Sequence, residues 1–287
     1  MDREKITLTG AQETMLATLY GRALDSRSPR SVLHDDAAAR AVRRIDYDFR
    51  KTGVKGTSAV GVALRARQLD EWTREFLAEQ RSATVLHLAC GLDTRVHRIA
   101  PASTVRWIDV DFPEVIDLRR RLLSEPDGVD YRTIGSSVTE DGWLQGIPAD
   151  RPTVAVFEGL SMYLREDDAL RLIRSITARF PSGSLLFDVY GTIGIRLQNR
   201  VPAVRNAGAT LHWGVDDPKA LESWAPGLTL LDSVRSVDVP GLDHLPRSGR
   251  LGMRLLAHIP VLRDIGRILR YGFRTPAGHT EQQSQQR

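Results

Sequence analysis

The chain has 287 residues, 41% of them apolar and 26% charged, which is enough to bury a substantial core and too apolar to stay unfolded. Its longest apolar runs, such as 184–189, fall well short of the roughly 20 residues a membrane-spanning helix requires, and Met1–Gly10 has no apolar export segment. One cysteine, Cys90, excludes an internal disulfide framework and a multi-cysteine zinc site, while a net charge of only +4, with arginines and acids interspersed along most of the chain, argues against nucleic-acid binding.

In chain order, 1–61 reads as a helical N-terminal cap. Met15, Leu16, Leu19 and Ala23 share one face at helical spacing. Asp36–Ile45 reads as a short helix capped by Asp35 or Asp36, and the three glycines of 50–61 predict a mobile loop. From Val62 the pattern changes. Leu69, Trp72 and Phe76 place a helix that ends near Gln80. Short apolar runs then alternate with helices: strands over Thr84–Ala89, Val105–Val110, Thr153–Phe157 and Ser184–Val189, and helices over Pro113–Leu123 and Glu166–Phe180. Two-sided apolar strands separated by helices predict an α/β fold, a Rossmann-like and mostly parallel sheet covered on both faces. Leu228–Val237 and Gly252–Ile259 are expected to add an antiparallel pair at its edge. The stretch 191–226, with Trp213, Trp224 and a helix start at Asp217-Pro218, reads as a lid insert in a domain spanning 62–274. The Gln-rich stretch 275–287 reads as a disordered tail.

In such a sheet, ligands bind beyond the carboxyl ends of the strands, where strand order reverses. The turn His87-Leu88-Ala89-Cys90-Gly91-Leu92-Asp93-Thr94-Arg95 follows the first strand, and its small residues Ala89, Cys90 and Gly91 allow a ligand close to the backbone. It is neither the three-glycine dinucleotide fingerprint nor a phosphate loop. About twenty residues on, Asp109 and Asp111 end the second strand, where an acid accepts hydrogen bonds from ribose hydroxyls; capping of the Pro113 helix is the competing role for Asp111. Glu158 ends the strand Thr153–Phe157 and suits a ligand ammonium. Arg65 and Arg67 precede the first strand and suit a carboxylate, although either could be plain helix-surface charge. Together these groups fit a nucleoside that carries an amino acid.

The segments Leu64–Asp70, Leu88–Arg95, Ile108–Pro113 and Glu158–Leu164 resemble the leucine carboxyl methyltransferase group of class I methyltransferases, in particular its polyketide O-methylating, tetracenomycin-synthesis-like branch. The resemblance implies an enzyme with the class I methyltransferase fold that uses S-adenosyl-L-methionine and releases S-adenosyl-L-homocysteine, with no metal. It implies that Arg65 holds the methionyl carboxylate, that Ala89–Gly91 passes under the methionyl part, and that Asp93 fixes the loop. Asp111 would then take the ribose hydroxyls and Glu158 would lie near the amino group. The sequence departs from the family pattern at Ala89, where glycine is usual, and at Ser137-Val138, which stand where an Asp-Leu pair faces the adenine. Each departure is expected to weaken cofactor binding by about 1 kcal/mol.

A carboxylate acceptor is already ionised at neutral pH and needs no base, whereas a phenol with a pKa near 10 would benefit from one. His212 is the candidate base and Tyr163 and Tyr190 the candidate positioning groups, with structural or packing roles as the alternatives. Cys90 reads as a small turn residue rather than a nucleophile. The reading is therefore a cytoplasmic methyltransferase that acts on oxygen of a small natural-product-like acceptor, with no nucleic-acid or membrane partner. The alternatives are a non-methylating descendant of the fold, a methyltransferase for protein C-termini with an open acceptor groove, and a membrane-surface protein that uses Arg263, Arg267, Arg270 and Arg274 at helical spacing.

Overall fold

The computed structural model describes residues 3–6 and 8–274; the tail expected at 275–287 lies outside the described residues. Its main sheet is built from β1 (Thr84–Leu88), β2 (Arg106–Asp111), β3 (Asp130–Gly135), β4 (Thr153–Phe157), β5 (Ser182–Tyr190), β6 (Thr229–Arg235) and β7 (Gly266–Arg274). The order is β3-β2-β1-β4-β5-β7-β6, and β7 alone runs against its neighbours. This is the mostly parallel α/β sheet with an antiparallel edge that the sequence predicts. All residues of β1, β2 and β4 are buried, and apart from His87 and Asp109 the interiors of these strands are apolar on both faces.

The helices are α1 (Ala11–Ser26), α2 (Asp36–Arg44), α3 (Gly56–Glu79), α4 (Arg95–Ile99), α5 (Pro113–Leu122), α6 (Glu166–Arg179), α7 (Thr192–Arg196), α8 (Pro202–Asn206), α9 (Arg247–His258) and α10 (Pro260–Arg263). Asp35 caps α2 by accepting from the Ala38 N–H at 3.0 Å, and Pro113 occupies the first turn of α5, where its missing N–H costs nothing. Asp217 caps the short Pro218–Trp224 turn in the same way. Residues of α1, α2 and α5 form one apolar cluster around Leu16, Leu19, Val42 and Leu118. The cap is thereby fixed to the sheet domain.

Four expectations change. The loop at 50–61 is largely helical, because a 3-10 turn covers Phe49–Thr52 and α3 starts at Gly56. Ser58 closes its first turn by pairing with both backbone groups of Lys55, which offsets the cost of glycine in a helix. β3 is absent from the sequence reading, because a half-exposed strand rich in Asp, Tyr, Arg and Thr carries little apolar signal. Gly252–Ile259 lies on α9 and its cap rather than on a strand; Met, Arg, Leu and Ala favour a helix there. The second late strand is β7, and β6 pairs with it at the sheet edge. The supposed helical arginine row also dissolves. Arg267, Arg270 and Arg274 lie on β7, with Arg267 paired to Asp264 at 2.6 Å and Arg270 to Glu75 at 2.6 Å.

Candidate functional site

A cavity of about 610 Å³ opens beyond the carboxyl ends of β1, β2 and β4, where the strand order reverses between β1 and β4. Three sequence regions roof it. α1 contributes Gln12, Met15 and Thr18, the start of α3 contributes Ser58, Val62 and Arg65, and the insert contributes Pro202, Val204, Leu211 and His212. Cap and insert meet across the mouth, where the Asn206 amide donates to the Lys51 carbonyl at 2.7 Å. Gly53 lies so close to Pro202 that a Cβ there would come within 2.5 Å of it.

The floor is the turn after β1. Ala89 and Gly91 both adopt positive φ, +48° in each case. For glycine this is free, whereas for alanine it costs roughly 1–2 kcal/mol. Ala89 therefore holds the same left-handed geometry that glycine would supply. Gly91 is needed for space as well, since a Cβ would meet the Met15 side chain at 3.2 Å. Its N–H donates to Asp111 Oδ2 at 2.7 Å, and the other Asp111 oxygen accepts from the Phe112 N–H at 2.7 Å. Asp111 thus ties the turn to the end of β2 while lining the cavity. Burial raises its carboxyl above the ordinary range, and the two N–H donors work against that rise.

Arg65, on α3, donates from Nε to Glu158 Oε1 at 3.0 Å and from NH1 to Asp188 Oδ2 at 2.8 Å. Its side chain stays 21% exposed and lines the cavity, so the guanidinium is oriented by two carboxylates without being enclosed. The second oxygen of Glu158 accepts from Arg95 at 2.7 Å. Ser137 and Val138 line the far end, and the Ser137 hydroxyl lies 2.8 Å from that of Thr139.

Asp93 has the loop-fixing place that the motif suggests. It pairs with Arg98 at 2.8 Å, Arg95 at 3.3 Å and Arg22 at 3.7 Å. Burial alone would raise its carboxyl, yet Arg22, Arg98 and Arg95 outweigh this and hold it well below the usual range. Thr94 donates to Asp35, and Asp70 receives both Arg95 and Arg98 at 2.7–2.8 Å. The Asp-Thr-Arg run is therefore a buried ionic rivet joining the turn to α1, α2 and α3.

Several placements differ from expectation. Asp109 does not line the cavity. It is fully buried behind β2, and its oxygens take Arg119 (2.6 Å), Tyr131 (2.7 Å), Trp107 (2.8 Å) and His87 (3.0 Å). Position along the strand explains the difference: the period of two puts Asp109 and Asp111 on the same face, but only Asp111, the last residue of β2, clears the sheet end. Arg67 bonds the Pro240 carbonyl and pairs with Glu71, outside the cavity. Trp213 and Trp224 stack on each other 5.2 Å apart within the main core rather than facing the cavity. His87 lines the cavity floor and bridges Asp109 and Asp93. Burial pushes the Cys90 thiol well up, so it is a neutral packing group. Tyr163 and Tyr190 line the acceptor side, and burial raises both phenols. They are donors rather than bases at neutral pH. His212 faces the cavity with an exposed ring, and its backbone N–H donates to the Met162 carbonyl at 2.8 Å.

Two groups escape the sequence reading. Asp188, at the end of β5, accepts from the Gly159 N–H at 2.6 Å besides Arg65; an acid ending the apolar run Leu-Leu-Phe-Asp was its only signal. Arg119 donates to the carbonyls of Gly91 at 3.2 Å and Asp93 at 2.5 Å, holding the turn from beneath. Its only sequence signal is spacing, which puts it on the apolar stripe of Val115, Leu118 and Leu122, whereas Arg120 and Arg121 face outward.

A family model described as leucine carboxyl methyltransferase matches residues 15–177. The chain is 46% identical over 271 residues to the tetracenomycin polyketide synthesis O-methyltransferase TcmP of Streptomyces glaucescens, covering 94% of this chain and 99% of that one. It is 40% identical to the S-adenosyl-L-methionine-dependent methyltransferase dpfgK of Gibberella zeae, covering 79% and 83% of the two chains. A duf574 family protein from Streptomyces avermitilis superposes with a TM-score of 0.56 at 14% identity, over 89% of this chain and 97% of that one, a likeness of fold alone.

Proposed function

The chain belongs to the leucine carboxyl methyltransferase family and is an S-adenosylmethionine-dependent O-methyltransferase; from that premise we propose that it methylates a carboxylate or hydroxyl oxygen of a small, largely apolar, polyketide-like acceptor. The reading is carried by one observation. Arg65, Gly91, Asp111 and Glu158, spread over nearly a hundred positions, border a single cavity.

The donor set fits the cofactor. Arg65 offers unenclosed N–H groups to the methionyl carboxylate, and Glu158 presents a carboxylate toward the amino group. Ala89–Gly91 supplies a turn without bulk under the methionyl chain. Asp111 offers acceptors to the ribose hydroxyls, and Ser137 and Val138 bound the adenine end. Asp93 acts through the turn it fixes. When bound, S-adenosylmethionine supplies a methyl group on a sulfonium that leaves as a neutral thioether, so the protein's task is to align the two reactants and exclude water. In this reading 62–274 is the catalytic domain, while the cap 1–61 and the insert 191–226 roof the cavity. The protein works in the cytoplasm.

The acceptor side is apolar. Met162, Val204 and Leu211 form a cluster bordered by Tyr163, Tyr190 and Val201. Such a wall suits a ring system, and the roof from α1 and the insert disfavours the open groove that a protein C-terminus would need. The positive φ of Ala89 keeps the turn in its glycine-like shape, which favours a working enzyme over a non-methylating descendant. His212 serves as base only for a hydroxyl acceptor, with Tyr163 positioning it.

Calorimetry with S-adenosylhomocysteine tests the cofactor reading. Binding on the order of micromolar is expected, weakened about 10- to 100-fold in Arg65→Ala, the scale of hydrogen bonds to a charged group. Absence of any binding heat would overturn it. Incubation with methyl-labelled cofactor and aromatic acids or phenols then identifies the oxygen.

A further inference from the structure

Six large apolar side chains stand out as exposed among the described residues. Four of them fall between 251 and 261: Leu251 (59%), Leu255 (61%), Ile259 (45%) and Val261 (60%). No residue from Pro246 to Ile265 is buried. This is unlike α1, α3 or α6, each of which sinks one face into the core.

The segment is two-faced nonetheless. Gly249, Gly252, Met253 and Leu256 are half-buried, and Met253, with Leu245, closes a second cavity of about 250 Å³ that reaches Arg65 and Tyr190. At 3.6 residues per turn, Leu251 and Leu255 fall on the side away from Gly249, Met253 and Leu256, with Arg247, Arg250 and Arg254 beside them, and the exposed Ile259 and Val261 continue the apolar surface across the junction with α10. From Leu245 to Arg263 there are four arginines and neither aspartate nor glutamate, an excess of four positive charges that equals the net charge of the whole chain. The guanidiniums of Arg247, Arg250 and Arg254 have no carboxylate partner among the described residues. Elsewhere arginines are commonly paired, as Arg22, Arg65, Arg95, Arg98, Arg119 and Arg270 are.

An apolar row flanked by unpaired arginines requires an apolar partner with negative charge beside it. A second copy would set this cationic face against itself in a two-fold pair. A protein interface of this size would draw on Tyr, Trp or Phe anchors, and 245–263 has none. We propose that α9 and α10 form a docking surface for an anionic lipid bilayer, with Leu251, Leu255, Ile259 and Val261 entering the headgroup boundary and Arg247, Arg250 and Arg254 resting on lipid phosphates, whereas Arg263 is already paired with Asp264. No described helix is long and apolar enough to cross a membrane, so the protein lies on the surface. This goes beyond the expectation of no membrane partner, and it uses α9 and α10 rather than the arginines of β7. It does not depend on the identity of the acceptor.

Co-sedimentation of the full chain with vesicles tests it. The protein is expected to pellet with phosphatidylcholine vesicles containing about a third phosphatidylglycerol, where surface potential acts on each basic residue, and to stay in solution with phosphatidylcholine alone or in high salt. Leu251→Asp with Leu255→Asp, and separately Arg250→Glu with Arg254→Glu, are expected to lower partitioning about tenfold or more. Unchanged binding of S-adenosylhomocysteine confirms that both variants are folded. Failure to pellet with anionic vesicles overturns the proposal, as does undiminished pelleting of the leucine variant. So does self-association of the wild-type chain, without lipid, that the leucine variant abolishes.

Discussion

The two walls of the main cavity are held in different ways. Around the turn after β1, the side chains are locked by charge: Asp93, Asp70 and Asp35 with Arg22, Arg95 and Arg98, and Asp109 with Arg119. Across the cavity, Met162, Val204, Leu211 and Val201 are held by aliphatic contact, partly from the short helices of the insert. Ion pairs and N–H donors fix direction to within a fraction of an ångström, whereas aliphatic packing fixes mainly volume. The first wall suits one invariant cofactor. The second can be reshaped for a different acceptor without disturbing the first.

The largest effect should come from breaking the charged wall. Arg98→Met leaves Asp35, Asp70 and Asp93 short of a partner in the interior, which should cost about 3–5 kcal/mol of stability, read as a lower urea midpoint. A volume-conserving change on the apolar wall, Leu211→Met, should cost less than about 1.5 kcal/mol. Equal losses would erase the distinction.

Asp111→Asn sharpens it at the cofactor end. An asparagine can accept from only one of the Gly91 and Phe112 N–H groups, so S-adenosylhomocysteine affinity should fall by about 1.5–3 kcal/mol in calorimetry, with a lower melting temperature as the turn loses one tie to β2.

Acid separates the walls in another way. Asp93 and Asp109 sit below the ordinary carboxyl value near 3.9 in the folded chain. Their stabilisation is therefore complete above about pH 4 and lost as pH falls through their lower folded values. Thermal melts should show a stability plateau near neutrality and a decline below pH 4. In Asp93→Asn, which lacks one of these carboxyls, the decline should be shallower.

The smallest effect is at the turn itself. Ala89→Gly relieves the positive φ at the cost of added chain entropy and should gain roughly 1 kcal/mol at most, visible as a small rise in melting temperature with cofactor affinity unchanged or slightly higher. A loss on this substitution would mean that the Ala89 methyl makes a contact worth more than its strain.

Much of this was legible in the chain. The fully buried strands β1, β2 and β4 announce themselves by short apolar runs, interrupted inside only at His87 and Asp109, and α2 and α5 by Asp35 and Pro113 at their starts. Arg65, Gly91, Asp111 and Glu158 were found because each stands at a strand end or before one, and strand ends define the crevice in this topology. What failed was information that resides in neighbours. β3 is a strand only because β2 lends it hydrogen bonds. Asp109 and Asp111 are chemically alike in sequence, and their opposite fates depend on which one clears the edge of the sheet. Arg119 and Asp188 gain meaning from the carbonyls and guanidinium they meet across the fold.

By itself, then, the sequence determined the alternation of elements and the chemistry available at the strand ends, because burial and capping are local demands written into residue type and spacing. Only the tertiary structure decided which charges became interior rivets and which stayed open to a ligand. It also left α9 and α10 with an uncovered apolar face. An ion pair or a covered surface needs two partners, and for a chain of this length they lie tens to hundreds of residues apart.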